Sequence, residues 1–195
     1  MNTNKQTYLQ LDQLRLGYQR PLLEPISWSL KAGERWALNG PNGSGKSLLL
    51  KTLSDQLIPL GGECLWSQGV RWVFLAQEHQ RPALWPLKGH DWLQAMGVQP
   101  GHLPLIEHLL NQRLDQLSGG QWQLLRLASV LATDAEVILL DEPSNHLDAK
   151  VRSQSLTLLS QLQPHQSLLM ASHDQDFIQA SGAQPLTIEE LTHVD

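Results

Sequence analysis

The chain has 195 residues, 41% of them hydrophobic, and a formal net charge of −5. That is enough for one large domain or two small lobes around a sizeable core, and the scattered Lys and Arg residues form no basic stripe to track a nucleic-acid backbone. One cysteine, Cys64, excludes an internal disulfide, residues 1–6 lack the apolar centre of a secretion signal, and the longest apolar runs, such as residues 137–140, are far too short to span a bilayer.

In chain order, residues 8–11, 14–16 and 26–30 alternate apolar and polar, which predicts half-buried strands of an antiparallel sheet. Pro21 and Pro25 interrupt the run between them. Tyr18, in that connection, is either an ordinary turn residue or an aromatic able to stack on a purine. Residues 31–34 turn the chain into a short apolar strand over 35–38. Next comes Gly40-Pro41-Asn42-Gly43-Ser44-Gly45-Lys46-Ser47, which fits G-x-x-x-x-G-K-[ST] and is followed by a helix from Leu48. Strand, loop and helix in this order form the context in which the pattern binds phosphate. Gly40, Gly43 and Gly45 let main-chain N–H groups approach phosphate oxygens. The helix aims its positive end at the same anion. Lys46 would reach the β- and γ-phosphates of a nucleotide, and the Ser47 hydroxyl would take one position on Mg2+.

Pro59, Gly61 and Gly62 close the helical segment, and residues 63–66 and 70–76 read as strands, the second apolar enough to be buried. It ends at Gln77, where α/β folds bind ligands. A glutamine there reaches Mg2+ or water, or is simply a polar strand end. Residues 80–116 change texture: Pro82, Pro86, Pro100 and Pro104 punctuate helices expected over 90–96 and 105–114, with Trp85 and Trp92 expected in the core. Leu117-Ser118-Gly119-Gly120-Gln121 then opens a helix with Leu124, Leu125, Leu127, Ala128 and Leu131 at helical spacing. Ser118 is its natural N-cap, and the two glycines leave N–H groups bare at a second anion-attracting helix start.

Four aliphatic residues, 137–140, predict a strand covered on both faces, and it ends in two carboxylates. Asp141 suits Mg2+, directly or through water. Glu142 suits orienting or deprotonating an attacking water. Asp148 caps a helix to about residue 162, and residues 167–171 form another buried strand. His173 falls at that strand's carboxyl end, where it serves the structure alone or hydrogen-bonds a γ-phosphate. A short helix after Phe177 and a strand over 185–188 follow.

Taken together and in this order, GPNGSGKS at 40–47, Gln77, LSGGQ at 117–121, VILLDEP at 137–143, SNHLD at 144–148 and His173 resemble an ATP-binding cassette (ABC) ATPase domain over nearly the whole chain. The resemblance implies an α/β P-loop NTPase fold in a single cassette domain over 1–195. Such a domain has a mainly parallel core sheet, an N-terminal antiparallel β-subdomain and a small α-helical subdomain at about 80–130. It implies Mg2+-dependent hydrolysis of ATP, with Tyr18 on the adenine and Gly40 through Leu48 holding the nucleotide. Ser47, Gln77 and Asp141 would serve the metal; Lys46, Gln77, Glu142 and His173 would serve catalysis. It also implies a head-to-tail homodimer in which Ser118, Gly119, Gly120 and Gln121 of one chain close on the γ-phosphate held by the other. The chain departs from the pattern at Leu48, at Trp122 and at Leu124, which stands where an arginine is common and has Arg126 one turn away as its substitute.

The leading expectation from this resemblance is the ATPase subunit of a transporter, peripheral on the cytoplasmic face of the cell membrane. It would work with separate membrane-spanning permease subunits and no direct nucleic-acid partner. The alternative is a non-transport cassette of the F type acting on the ribosome. DEPSNHLD and Ser172-His173-Asp174-Gln175-Asp176-Phe177 resemble that branch, and the stretch from Gln77 to Ser118 is short enough to suit it. That class usually joins two cassettes through a charged linker, whereas these residues hold one cassette with an acidic balance.

Overall fold

The computed structural model describes residues 5–77, 86–99, 103–145 and 147–192. Trp85 and His146, both noted in the sequence, lie outside them. The alternating N-terminal pattern forms one strand, β1 (Thr7–Arg15), where two were expected. Gln13 adopts φ 46°, and the register against both neighbouring strands shifts there. The bulge breaks the alternation without ending the strand. β2 (Ile26–Lys31) pairs antiparallel with one side of β1. β3 (Arg35–Asn39) and α1 (Lys46–Leu53) follow, and β4 (Gly61–Trp66) returns to the other side of β1, giving the order β2-β1-β4.

β5 (Trp72–Leu75), β6 (Val137–Asp141), β7 (Ser167–Ala171) and β8 (Gln184–Thr187) join β3 in a second sheet, ordered β5-β6-β7-β3-β8, with all neighbours parallel. Every residue of β6 and β7 is buried. The reason lies in how their side chains divide. Ile138 and Leu140 join the core shared with α4 (Gly119–Leu131) and α5 (Ala149–Ser160). Val137 and Leu139 join the core shared with α1 and the antiparallel sheet. A strand covered on both faces needs apolar residues in succession, each contributing about 1.5–3 kcal/mol when fully buried. Because the strands run parallel, the loops after β3, β5, β6 and β7 emerge at one edge. The register pairs both Leu38 and Asp141 with Ala171, which brings Asp141 level with the start of the phosphate loop.

α2 (Gly89–Ala95) matches the expected helix within a residue. Its Trp92 is half-buried and meets Trp122 edge-on, with ring centroids 4.9 Å apart. The helix expected over 105–114 is much shorter: α3 covers Glu107–Leu110, and a single 3₁₀ turn follows at Leu114–Gln116. Gly89 N–H donates to Gln112 O at 3.1 Å and Leu114 N–H donates to Leu87 O at 2.8 Å, so pairing with the segment before α2 takes those residues out of the helix. α6 (Gln175–Ser181) lies between β7 and β8, and α7 (Ile188–Thr192) follows β8. Among the described residues no helix is long and apolar enough to cross a membrane.

Candidate active site

The loop between β3 and α1 is built on glycine geometry. Gly45, the N-cap of α1, has φ 96°, and Gly43 has φ 84°. A Cβ on Gly45 would lie 2.5 Å from Leu23 Cδ1. Lys46 begins α1, and although it is a lysine it is only 5% exposed. Its ammonium donates to the carbonyls of Gly40 (2.7 Å) and Pro41 (2.9 Å), which holds it inside the loop's curve. Ser44 Oγ is buried there and, among the described residues, has no hydrogen-bond partner.

Opposite this loop stands the end of β6. Asp141 is 1% exposed, and Ser47 Oγ donates to its Oδ1 at 2.8 Å. Burial pushes the Asp141 carboxyl above the usual carboxylate range. The Ser47 hydrogen bond opposes that shift, the neighbouring Glu142 adds to it, and Lys51 and Lys46 draw it back. Glu142 sits in the left-handed region at φ 49°, rare for a residue with a side chain. Two backbone hydrogen bonds fix it there: its N–H donates to Ala171 O at 2.9 Å, and its carbonyl accepts from Asn145 N–H at 3.2 Å. The turn aims the side chain at β7's exit, where His173 Nδ1 lies 2.9 Å from Glu142 Oε2. With Nδ1–H donating to that carboxylate, Nε2 is left for a second partner. The imidazole is half-exposed, whereas the carboxylate is almost wholly covered.

Most of these groups border one cleft of about 420 Å³; Gly40, Pro41, Ser44 and Asp141 do not line it, Asp141 lying behind Ser47. Of the residues expected from sequence, Tyr18, Asn42, Gly43, Gly45, Lys46, Ser47, Leu48, Gln77, Glu142 and His173 line it. Leu22 and Asn145 line it as well, though neither is singled out by its sequence pattern. Leu22 is a large aliphatic left 55% exposed, Tyr18 is 66% exposed, and only the fold brings the two to the same cleft. Chemically the cleft offers an ammonium and helix-start N–H groups on one wall and the Glu142 carboxylate with the His173 imidazole on the other.

Ser118–Gln121 do not line this cleft. They begin α4 in a reciprocal cap: Ser118 Oγ accepts from Gln121 N–H at 3.2 Å, and Gln121 Oε1 accepts from Ser118 N–H at 2.8 Å. The cap satisfies those two donors and leaves the N–H groups of Gly119 and Gly120 at an exposed helix start. Gly120 packs against α5, since a Cβ on it would lie 3.2 Å from Val151 Cγ2.

A parallel sheet with this order, a glycine-shaped loop running into α1, and acids at the neighbouring strand ends define a P-loop nucleotide-binding domain. The chain belongs to the ABC transporter family, whose model matches residues 23–145. It is 31% identical over 204 residues to the nickel import ATP-binding protein LarO of Lactiplantibacillus plantarum, covering 89% of this chain and 85% of LarO. It is 32% identical over 181 residues to the zinc import ATP-binding protein ZnuC of Photorhabdus laumondii, covering 88% and 70%. Among solved structures, an ABC transporter ATP-binding protein chain from Pyrococcus furiosus superposes with a TM-score of 0.79 at 27% identity, covering 94% of this chain and 98% of that one. Other relatives are longer. The chain spans 37% of YbiT from Escherichia coli O157:H7 and 29% of the ribosome protection protein VmlR from Bacillus subtilis.

Proposed function

We propose that this chain is the ATP-binding and ATP-hydrolysing subunit of an ABC importer or exporter, working through separate membrane subunits. The observation that carries the reading is the convergence of Lys46, Ser47, Glu142 and His173 on one cleft, with Asp141 held directly behind Ser47. Cassette relatives that this chain covers for most of their length are named as metal-import ATP-binding proteins.

In this reading Tyr18 stacks on the base, and the loop from Gly40 to Leu48 holds the phosphates through main-chain N–H groups. Lys46 turns from the loop carbonyls to the β- and γ-phosphates, and the unpartnered Ser44 hydroxyl fits an acceptor brought by the nucleotide. Ser47, Asp141 and Gln77 fit Mg2+: they present hard oxygen donors, and Asp141 is a buried carboxylate that one hydroxyl serves. Among the described residues no group of three or more His, Cys, Asp or Glu side chains is arranged to hold a metal, so the remaining ligands would be phosphate oxygens and water. The ion supplies neutralisation of charge on the phosphates. Glu142 orients the attacking water and takes its proton, and His173, tied to Glu142 through Nδ1, presents Nε2 toward the γ-phosphate. Ser118, Gly119, Gly120 and Gln121 face a second chain's nucleotide in a head-to-tail homodimer, which suits their place outside the chain's own cleft. One cassette domain covers residues 1–195, with residues about 80–130 as its helical subdomain, and it sits on the cytoplasmic face of the membrane.

The ribosome-associated alternative draws on the likeness to VmlR, 31% identical over 172 residues. The deciding experiment uses Glu142→Gln with Mg-ATP in a lysate of the source cell, separating membranes from ribosomes by sedimentation. ATP-dependent retention on membranes is the expected result. Retention on ribosomes overturns the transport reading in favour of the alternative.

A further inference from the structure

Arg126 is the only ionisable side chain of α4, yet it is just 4% exposed. Among the described residues it has no carboxylate partner. Burial alone pulls its pKa down to about 10. The charge is held by dipoles and by a ring: Nη2–H donates to Ala76 O at 2.6 Å, Nη1–H donates to Gln123 Oε1 at 2.9 Å, and the guanidinium lies 5.9 Å from the Trp122 ring centroid. Gln123 in turn donates from Nε2 to Pro143 O at 3.4 Å. Burying a guanidinium without a counter-ion is costly, and an apolar side chain of similar volume is often neutral or stabilising in its place. Stability alone therefore does not explain the choice of residue.

The two carbonyls at the ends of this bridge do. Ala76 precedes Gln77, and Pro143 follows Glu142, so one turn of α4 is fastened to the backbone beside two cleft-lining residues that leave different strands. We infer that Arg126, acting with Gln123, is a positioning residue that sets the spacing between Gln77 and Glu142 across the cleft. The inference rests on the ATPase reading above. Arg126 does not line the cleft. It acts by holding the Ala76 and Pro143 carbonyls to one helix, and the planar, forked guanidinium serves Ala76 and Gln123 from two separate nitrogens in a fixed geometry that a lysine ammonium does not reproduce.

The test compares wild type with Arg126→Met, Arg126→Lys and Gln123→Leu, measuring kcat and KM for ATP together with the melting temperature of each. Arg126→Met should lower kcat about 10-fold or more while KM stays within about three-fold, because misplacement of a catalytic group acts on the chemical step. Its melting temperature should be unchanged or higher. Arg126→Lys should recover part of the lost kcat, and Gln123→Leu should show the same kcat-weighted defect. Should Arg126→Met fail to fold, Gln123→Leu decides, since it breaks the bridge with the arginine in place. A folded Arg126→Met with wild-type kcat overturns the inference, as does a kcat loss that tracks a falling melting temperature in every variant. A wild-type chain that binds ATP but never turns it over overturns the ATPase reading instead.

Discussion

Asp141→Asn should make the protein more stable and less able to respond to its ligand, and the two effects have opposite signs in one assay. The carboxylate is 1% exposed, and its hydrogen-bonding side chain is Ser47. Burial raises its pKa in the folded chain above the unfolded value. The fold then holds that proton more tightly than the unfolded chain does, so stability falls as pH rises through the interval between the two values and stays lower above it. Asparagine has no proton to lose, keeps the shape and can still accept from Ser47. Removing an under-compensated buried charge is worth about 1 kcal/mol, which for a chain of this size is about 2–4 °C in Tm. Mg-ATP at about 100 times Kd should stabilise wild type by about 2.7 kcal/mol, an effect the variant largely forgoes if Asp141 serves the metal. The order of melting should therefore invert: the variant is ahead by about 1 kcal/mol without nucleotide and behind by about 1.7 kcal/mol with it. Thermal unfolding at neutral pH with and without Mg-ATP reads both. A variant that melts below wild type without nucleotide would refute the charge-burial reasoning, and one that gains the full Mg-ATP shift would remove Asp141 from the metal site.

Lys46→Ala should weaken ATP binding by roughly 10–100-fold, the worth of a charge-assisted hydrogen bond in a covered site, and isothermal titration would show it. Unchanged affinity would count against the phosphate loop. Gly45→Ala should cost about 1–2 kcal/mol in urea unfolding, mainly from the backbone at φ 96°, because the Leu23 methyl that the new Cβ meets can rotate aside. A neutral result would mean the loop has another conformation open to it. Glu142→Gln should leave ATP binding intact, slow hydrolysis at least about 100-fold and accumulate dimer on a sizing column in Mg-ATP; normal turnover would end its assignment as the base.

The cleft was legible in the sequence to the extent that main-chain geometry writes it there. Three glycines with Lys46 and Ser47, and four aliphatics before Asp141, record a loop shape and a two-sided burial that few other residues satisfy. Strand ends were legible for the same reason, since β6 and β7 must be apolar until the sheet stops. Local pattern failed where distant pairing decides. Residues 105–114 have helical spacing, but the Gln112 carbonyl accepts from Gly89 N–H and the Leu114 N–H donates to Leu87 O, so neither is left for a helix through them. At Gln13 a bulge imitates a strand end, because one extra residue reverses the inward and outward sides. The buried bridge through Arg126 was half visible: the arginine stood out beside Leu124, but the carbonyl it reaches is 50 residues away, the one Gln123 reaches is 20 away, and neither carries a side-chain signature.

Glu142 has a backbone that glycine would occupy with less strain, by roughly 1–2 kcal/mol. The position on which hydrolysis is proposed to depend most is thus one where the fold would gain from losing the side chain. Selection for heat resistance alone would drift toward glycine or asparagine at 142 and return robust proteins that bind nucleotide and do not release it. Any directed evolution of this chain toward durability therefore has to select on turnover in the same round, since at this residue longevity and work pull in opposite directions.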